Sequence, residues 1–126
     1  WRITKPGTRV IIKVPHFSSL YAWIDPDHQK AFSYTTFDSF AYPHQNYNFK
    51  DIKFKIIKKR LIYDNLSVLR KRFKRNYLVA IIIIFYMPII KIIEFFANIF
   101  PLFCERFWCY YVGGFNTIYL ELETIK

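Results

Sequence analysis

Hydrophobic and polar positions change their rhythm several times along this chain. Arg9-Val10-Ile11-Ile12-Lys13-Val14 is short, β-branched and nearly all apolar, with a Pro6-Gly7 turn before it and Pro15 after it. Such a run predicts a largely buried strand of the kind found in parallel sheets. From His16 to Asn48 no period is sustained, yet Phe17, Tyr21, Trp23, Phe32, Tyr34 and Phe37 supply apolar surface that argues for docking on a scaffold. Within it Ser18-Ser19 predict the cap of a short helix through Trp23, and Thr36 to Phe40 a further helical turn. Ile52 to Tyr63 alternates Ile52, Phe54 and Ile56 with Lys53 and Lys55, then slips at Ile56-Ile57. That predicts a lysine-studded edge strand with a bulge.

The period lengthens after Leu66. Leu66, Leu69, Phe73 and Tyr77 fall at helical spacing, and Tyr77 to Ile90 carries no charge. Lys91 and Glu94 interrupt an apolar run that resumes through Phe103, while Pro88 and Pro101 predict helix ends or kinks just before them. Cys104 to Tyr111 reads as helix, capped by Gly113-Gly114. Thr117 to Ile125 alternates Ile118, Leu120 and Leu122 with Tyr119, Glu121 and Glu123, a clear strand. The order is strand, irregular docked segment, strand, helices, strand. The first strand is expected to want neighbours on both sides.

Composition narrows the class. Of 126 residues, 53% are hydrophobic and 22% charged, too apolar for a disordered chain. Three glycines and two cysteines exclude collagen-like and disulfide-framework proteins. Nineteen basic against nine acidic side chains leave a net charge of +10 and favour an anionic neighbour. Ten of the nineteen lie between Lys53 and Arg75, with Asp64 as the one acid among them. For Arg70, Lys71, Arg72, Lys74 and Arg75 three readings stay open: a solvated face, an anionic membrane surface, or nucleic acid. An apolar run directly behind the charge favours the membrane over nucleic acid, because only Phe73 interleaves the basic residues. Residues 78–97 are long enough to span a bilayer, but Lys91 and Glu94 are costly at depth, so spanning, interfacial burial and ordinary packing all remain. Residues 1–9 hold no apolar core of a signal peptide, and the opening on Trp1 is read as a piece of a longer protein.

The beginning and end of the chain carry a family likeness. Trp1-Arg2-Ile3-Thr4-Lys5-Pro6-Gly7 running into a β-branched strand, then Val14-Pro15-His16-Phe17-Ser18-Ser19, Asp25-Pro26-Asp27-His28 and Phe32-Ser33, resembles class I S-adenosylmethionine-dependent methyltransferases of the broad type 11 group. Glu105-Arg106-Phe107 and the closing Tyr119 to Lys126 are similar to the end of the same domain. Thr8 stands where the family often has a second glycine, and the likeness thins between about Leu66 and Phe100.

This resemblance implies an α/β fold. Residues 1–126 would be the C-terminal portion of a Rossmann-like seven-stranded sheet, strands five to seven, with the antiparallel last strand beside the fifth. A basic and hydrophobic helical insertion would occupy about 66–112. It implies methyl transfer to an unknown acceptor, with S-adenosylmethionine bound mainly by a preceding N-terminal half. The isolated chain would therefore be inactive. The rival is a non-enzymatic, membrane-associated basic protein.

Ligands of open α/β sheets bind beyond the carboxyl ends of the strands. That places His16 as a proton-removing candidate or, alternatively, as a histidine that only caps the loop or packs on Phe17, with Ser18, Ser19, Asp25 and His28 on the acceptor side. No fixed metal-ligand spacing is met, so no metal is expected. Cys104 and Cys109, five apart on a helix, face different ways and read as buried thiols rather than a redox pair. The expected location is cytoplasmic, with membrane association through about 70–100.

Overall fold

The computed structural model describes residues 3–41, 53–63 and 77–125. Within them the elements run β1 (Arg9–Pro15), α1 (Tyr21–Ile24), α2 (Asp38–Ala41), β2 (Lys53–Ile62), α3 (Tyr77–Ile99), α4 (Pro101–Phe103), a π-helical turn (Cys104–Trp108), α5 (Cys109–Tyr111) and β3 (Thr117–Ile125). The fold is mixed α/β around one three-stranded antiparallel sheet in the order β1-β3-β2. Both outer strands run antiparallel to β3, so β1 and β2 point the same way.

Strict alternation translates directly into the central strand. Ile118, Leu120, Leu122 and Thr124 are buried along β3, with half-buried residues between them. β2 takes the edge that its lysines predict, and its pairing jumps from Ile56↔Leu122 to Lys58↔Glu121. Ile57 is the extra residue of that bulge, after which Lys58 and Arg60 take the exposed face and Lys59 turns inward to Asp38.

β1 departs from its reading as a buried, parallel-type strand. It pairs antiparallel with β3, and it alternates: Val10, Ile12 and Val14 are half-buried while Arg9, Ile11 and Lys13 are exposed. The apolar run hid a period of two because Ile11, 59% exposed, sits on the charged face. There Arg9 donates to Glu121 at 3.3 Å, and the Lys13 ammonium lies 5.7 Å from the Tyr119 ring centre.

The opposite face is covered. At one end Leu61, Ala97, Cys104, Phe115 and Ile118 form a core cluster, with Tyr63, Ile93 and Trp108 packed around it. At the other, Phe37 packs on Leu120 and Leu122, and the Phe32 and Phe37 rings stack at 5.4 Å. Phe32, Tyr34 and Phe37 of the segment after β1 are therefore docked, as its composition predicts, whereas Tyr21 and Trp23 are exposed.

Pro88 does not end its helix; α3 runs through it. Proline removes one backbone donor, whose intrahelical acceptor would have been the carbonyl of Ile84, on the exposed side of the helix. The last turns clamp α3 to β2. The Asn98 amide accepts from Leu61 N–H and donates to Leu61 C=O, both at 2.9 Å, and Glu94 accepts from Tyr63 N–H at 3.2 Å. Asn98 thus does for Leu61 what a further strand would do, which blunts the sheet edge. After α5 the N–H of Gly113 donates to Trp108 C=O at 3.0 Å and closes the helical run. Ile52, the helix from Leu66, and the basic group Arg70, Lys71, Arg72, Lys74 and Arg75 lie outside the described residues.

Candidate functional site

β1 delivers its chain directly into a buried polar cluster. His16 N–H donates to Asn116 C=O at 3.2 Å, and a parallel bridge to Phe32 holds the segment from the other side. The imidazole is fully buried, tilted on Phe17 at 4.4 Å and met edge-on by Phe115 at 6.1 Å. Its Nδ1 accepts from Ser18 N–H at 3.3 Å and lies 2.6 Å from Ser18 Oγ. That leaves the ring proton on Nε2, which donates to Glu105 Oε1 at 2.8 Å. The same carboxylate oxygen accepts from Tyr34 N–H.

Glu105 reaches this place through the π-helical turn, where Cys109 N–H bonds back to Cys104 C=O. The wider turn shifts the helical register, and such turns recur at functional positions. Ser18 Oγ accepts from Phe115 N–H at 3.0 Å, so one serine joins the histidine loop to the entrance of β3. Gly114 allows that approach: a Cβ there would stand 2.3 Å from the Ser18 carbonyl oxygen, whereas at Gly113 it would meet the Tyr63 hydroxyl at 3.2 Å. Gly114→Ala is therefore expected to lose about 1–3 kcal/mol through overpacking. Gly113→Ala should lose less, since a side-chain hydroxyl gives way more easily than backbone. Thermal unfolding of the two variants checks this, and an equal loss would contradict the close Ser18 contact.

The residues marked in the sequence separate into two groups. His16, Ser18 and Ser19 come together but face inward; Ser19 is 2% exposed, and its Oγ accepts from Tyr21 N–H at 3.2 Å. Both His16 ring nitrogens are engaged, so in this arrangement the imidazole positions the loop and has none left for an acceptor. Asp25 and His28 lie apart on the exposed turn after α1, 3.9 Å from each other. Asp25 Oδ1 accepts from Asp27 N–H at 3.0 Å, an Asx turn. Between the groups, α1 exposes Tyr21, Trp23 and Ile24 beside the exposed Leu20 at its N-cap, and the Trp23 indole N–H donates to Phe17 C=O at 2.8 Å.

Burial pushes both thiols up. For Cys109 the Glu105 carboxylate adds to that, against lowering contacts from Ser18 and Phe115. Protonated thiols are weak nucleophiles, which fits packing rather than chemistry. The Tyr34 hydroxyl is likewise raised, by burial first and then by Asp38 and Glu105. Among the described residues no group of three His, Cys, Asp or Glu side chains could hold a metal ion.

Sequence reasoning missed Glu105 as the partner of His16. The available signal was an acid alone among Phe103, Phe107 and Trp108, since a carboxylate seldom stays buried without a donor. Compared with known families, curated proteins and solved structures, the chain matches none.

Proposed function

We propose that these residues form the C-terminal portion of a class I S-adenosylmethionine-dependent methyltransferase domain, acting on an unknown acceptor. The observation that carries the reading is the sheet order. β3 runs antiparallel beside β1, as the resemblance implies for the last strand beside the fifth, and β2 lies on the other side of β3 pointing the same way as β1. Gly7, with φ of +75°, supplies the left-handed turn that leads into β1. Among the described residues no further strand pairs with the outer edge of β1, which leaves it open to a fourth strand of the domain.

The residues of this chain do not by themselves fit the cofactor. Its three glycines are Gly7, Gly113 and Gly114, which form no glycine-rich loop, and Gly114 is already packed against Ser18. What the chain contributes is positioning: the His16–Glu105–Ser18 cluster fixes the loop beyond β1, and that loop presents the exposed α1 ledge with Asp25 and His28 behind it. Acceptor placement and exclusion of water are the protein's share of such a transfer. The in-frame coding sequence ahead of Trp1 tests the reading: a strand followed by a glycine-rich turn supports it, and their absence overturns it.

The same reading puts the protein at the cytoplasmic side of a membrane. Ile81–Ile99 is apolar and long enough to cross one by length and composition, and only 11% of that segment is buried. A non-enzymatic membrane protein would share this helix, but it would have no use for the turn and strand order around β1.

A further inference from the structure

We infer that α3 lies along the surface of an anionic bilayer, and that the groove between α3 and the outer edge of β2 takes the phosphate of an anionic phospholipid. This rests on the membrane placement proposed above and adds a site and an orientation to it. The helix has two unlike sides. Ala97 is buried in the core beside Leu61 and Ile118, and Ile90 is also fully buried, whereas Ile82, Ile84, Phe85, Ile92, Phe95 and Phe96 are all more than half exposed. At 1.5 Å per residue the strip from Ile82 to Phe96 is about 21 Å long, and Leu102, Phe103 and Phe107 extend it. So large a contiguous apolar surface marks an interaction site.

The polar side chains decide how a membrane would meet it. Lys91, Glu94 and Asn98 interrupt the apolar helix, and the last two turn back to bond with β2. A spanning helix would have to break this clamp and carry the Lys91–Glu94 pair, 2.7 Å apart, into the hydrocarbon. A helix lying in the interface keeps both on its upper side.

The groove on that upper side has a volume of about 800 Å³. Its cations are Lys58, Arg60 and Lys91, and its apolar wall includes Met87, Phe95 and Ile99. One carboxylate, Glu94, stands against three cations and is already shared between Lys91 and Tyr63 N–H. Among the described residues neither Lys58 nor Arg60 has an ion-pair partner. Unneutralised cations at the margin of an apolar strip match a phosphate whose other end is an acyl chain. A second copy of a +10 chain would bring the same cations face to face, so charge argues for the anionic lipid.

The test is flotation of the full chain with phosphatidylcholine vesicles and with phosphatidylcholine–phosphatidylglycerol vesicles. Two double variants are compared, Lys58→Gln with Arg60→Gln in the groove, and Lys5→Gln with Lys30→Gln at exposed positions elsewhere. Both remove the same charge. The groove pair should weaken binding to the anionic vesicles roughly 30-fold, with circular dichroism unchanged, and the control pair should have a much smaller effect. Equal losses from the two pairs would overturn the groove and leave the membrane placement standing. No flotation with either vesicle would overturn both. Protein that stays in the vesicles through alkaline carbonate extraction would overturn the surface-lying orientation. Displacement from the vesicles by millimolar inorganic phosphate at constant ionic strength would assign the groove to free phosphate instead of lipid.

Discussion

Glu105→Ala is expected to cost about 2–5 kcal/mol of folding stability, because it orphans one buried and one part-buried donor at once. His16 Nε2–H and Tyr34 N–H both point at one carboxylate oxygen, and His16 has no exposed surface through which water could replace it. Glu105 also ties the π-helical turn to the loop beyond β1, two elements separated by 89 residues along the chain. Glu105→Gln retains a carbonyl acceptor and should recover at least half of the loss. Urea unfolding of the two variants gives the comparison. An alanine variant within about 0.5 kcal/mol of the parent, the range of an ordinary surface change, would show that the cluster does not hold the loop.

Phe115→Ala should be at least as damaging, at about 3–5 kcal/mol. The ring is fully buried and meets two others edge-on, Tyr63 at 5.7 Å and His16 at 6.1 Å. Removing it opens a cavity between the polar cluster and the core under α3, while the backbone bond from Phe115 N–H to Ser18 Oγ persists. Phe115→Leu keeps most of the volume and should lose less than half as much. Thermal unfolding distinguishes them, and equal losses would mean that the site collapses around either residue.

Where period and composition agreed, the fold was legible. β3 announces itself through Ile118, Leu120 and Leu122, and the bulge at Ile57 through the broken alternation of β2. β1 was misread because Ile11 is apolar yet faces outward among Arg9, Lys13 and Glu121, so an alternating strand looked continuous. The continuation of α3 through Pro88 depends on which side of the helix the proline occupies, and that is fixed only by the docking of Ala97 and Asn98.

The candidate site divides in the same way. The loop of His16, Ser18 and Ser19 could be located from its place after a strand. Its partners could not, because Glu105, Asn116 and Phe115 come from the far end of the chain and only tertiary packing brings them near. Asn98, which blunts the β2 edge, gave no signal at all, being a single amide in an apolar helix.

Titration of S-adenosylmethionine by calorimetry, with the 126-residue chain alone and with the longer polypeptide expressed from the in-frame coding sequence ahead of Trp1, tests whether these residues complete a methyltransferase domain. Saturable binding is expected for the longer polypeptide and none for the chain alone, because the glycine-rich loop is not among these residues. Micromolar binding by the chain alone, or no binding by the longer polypeptide, would contradict that assignment.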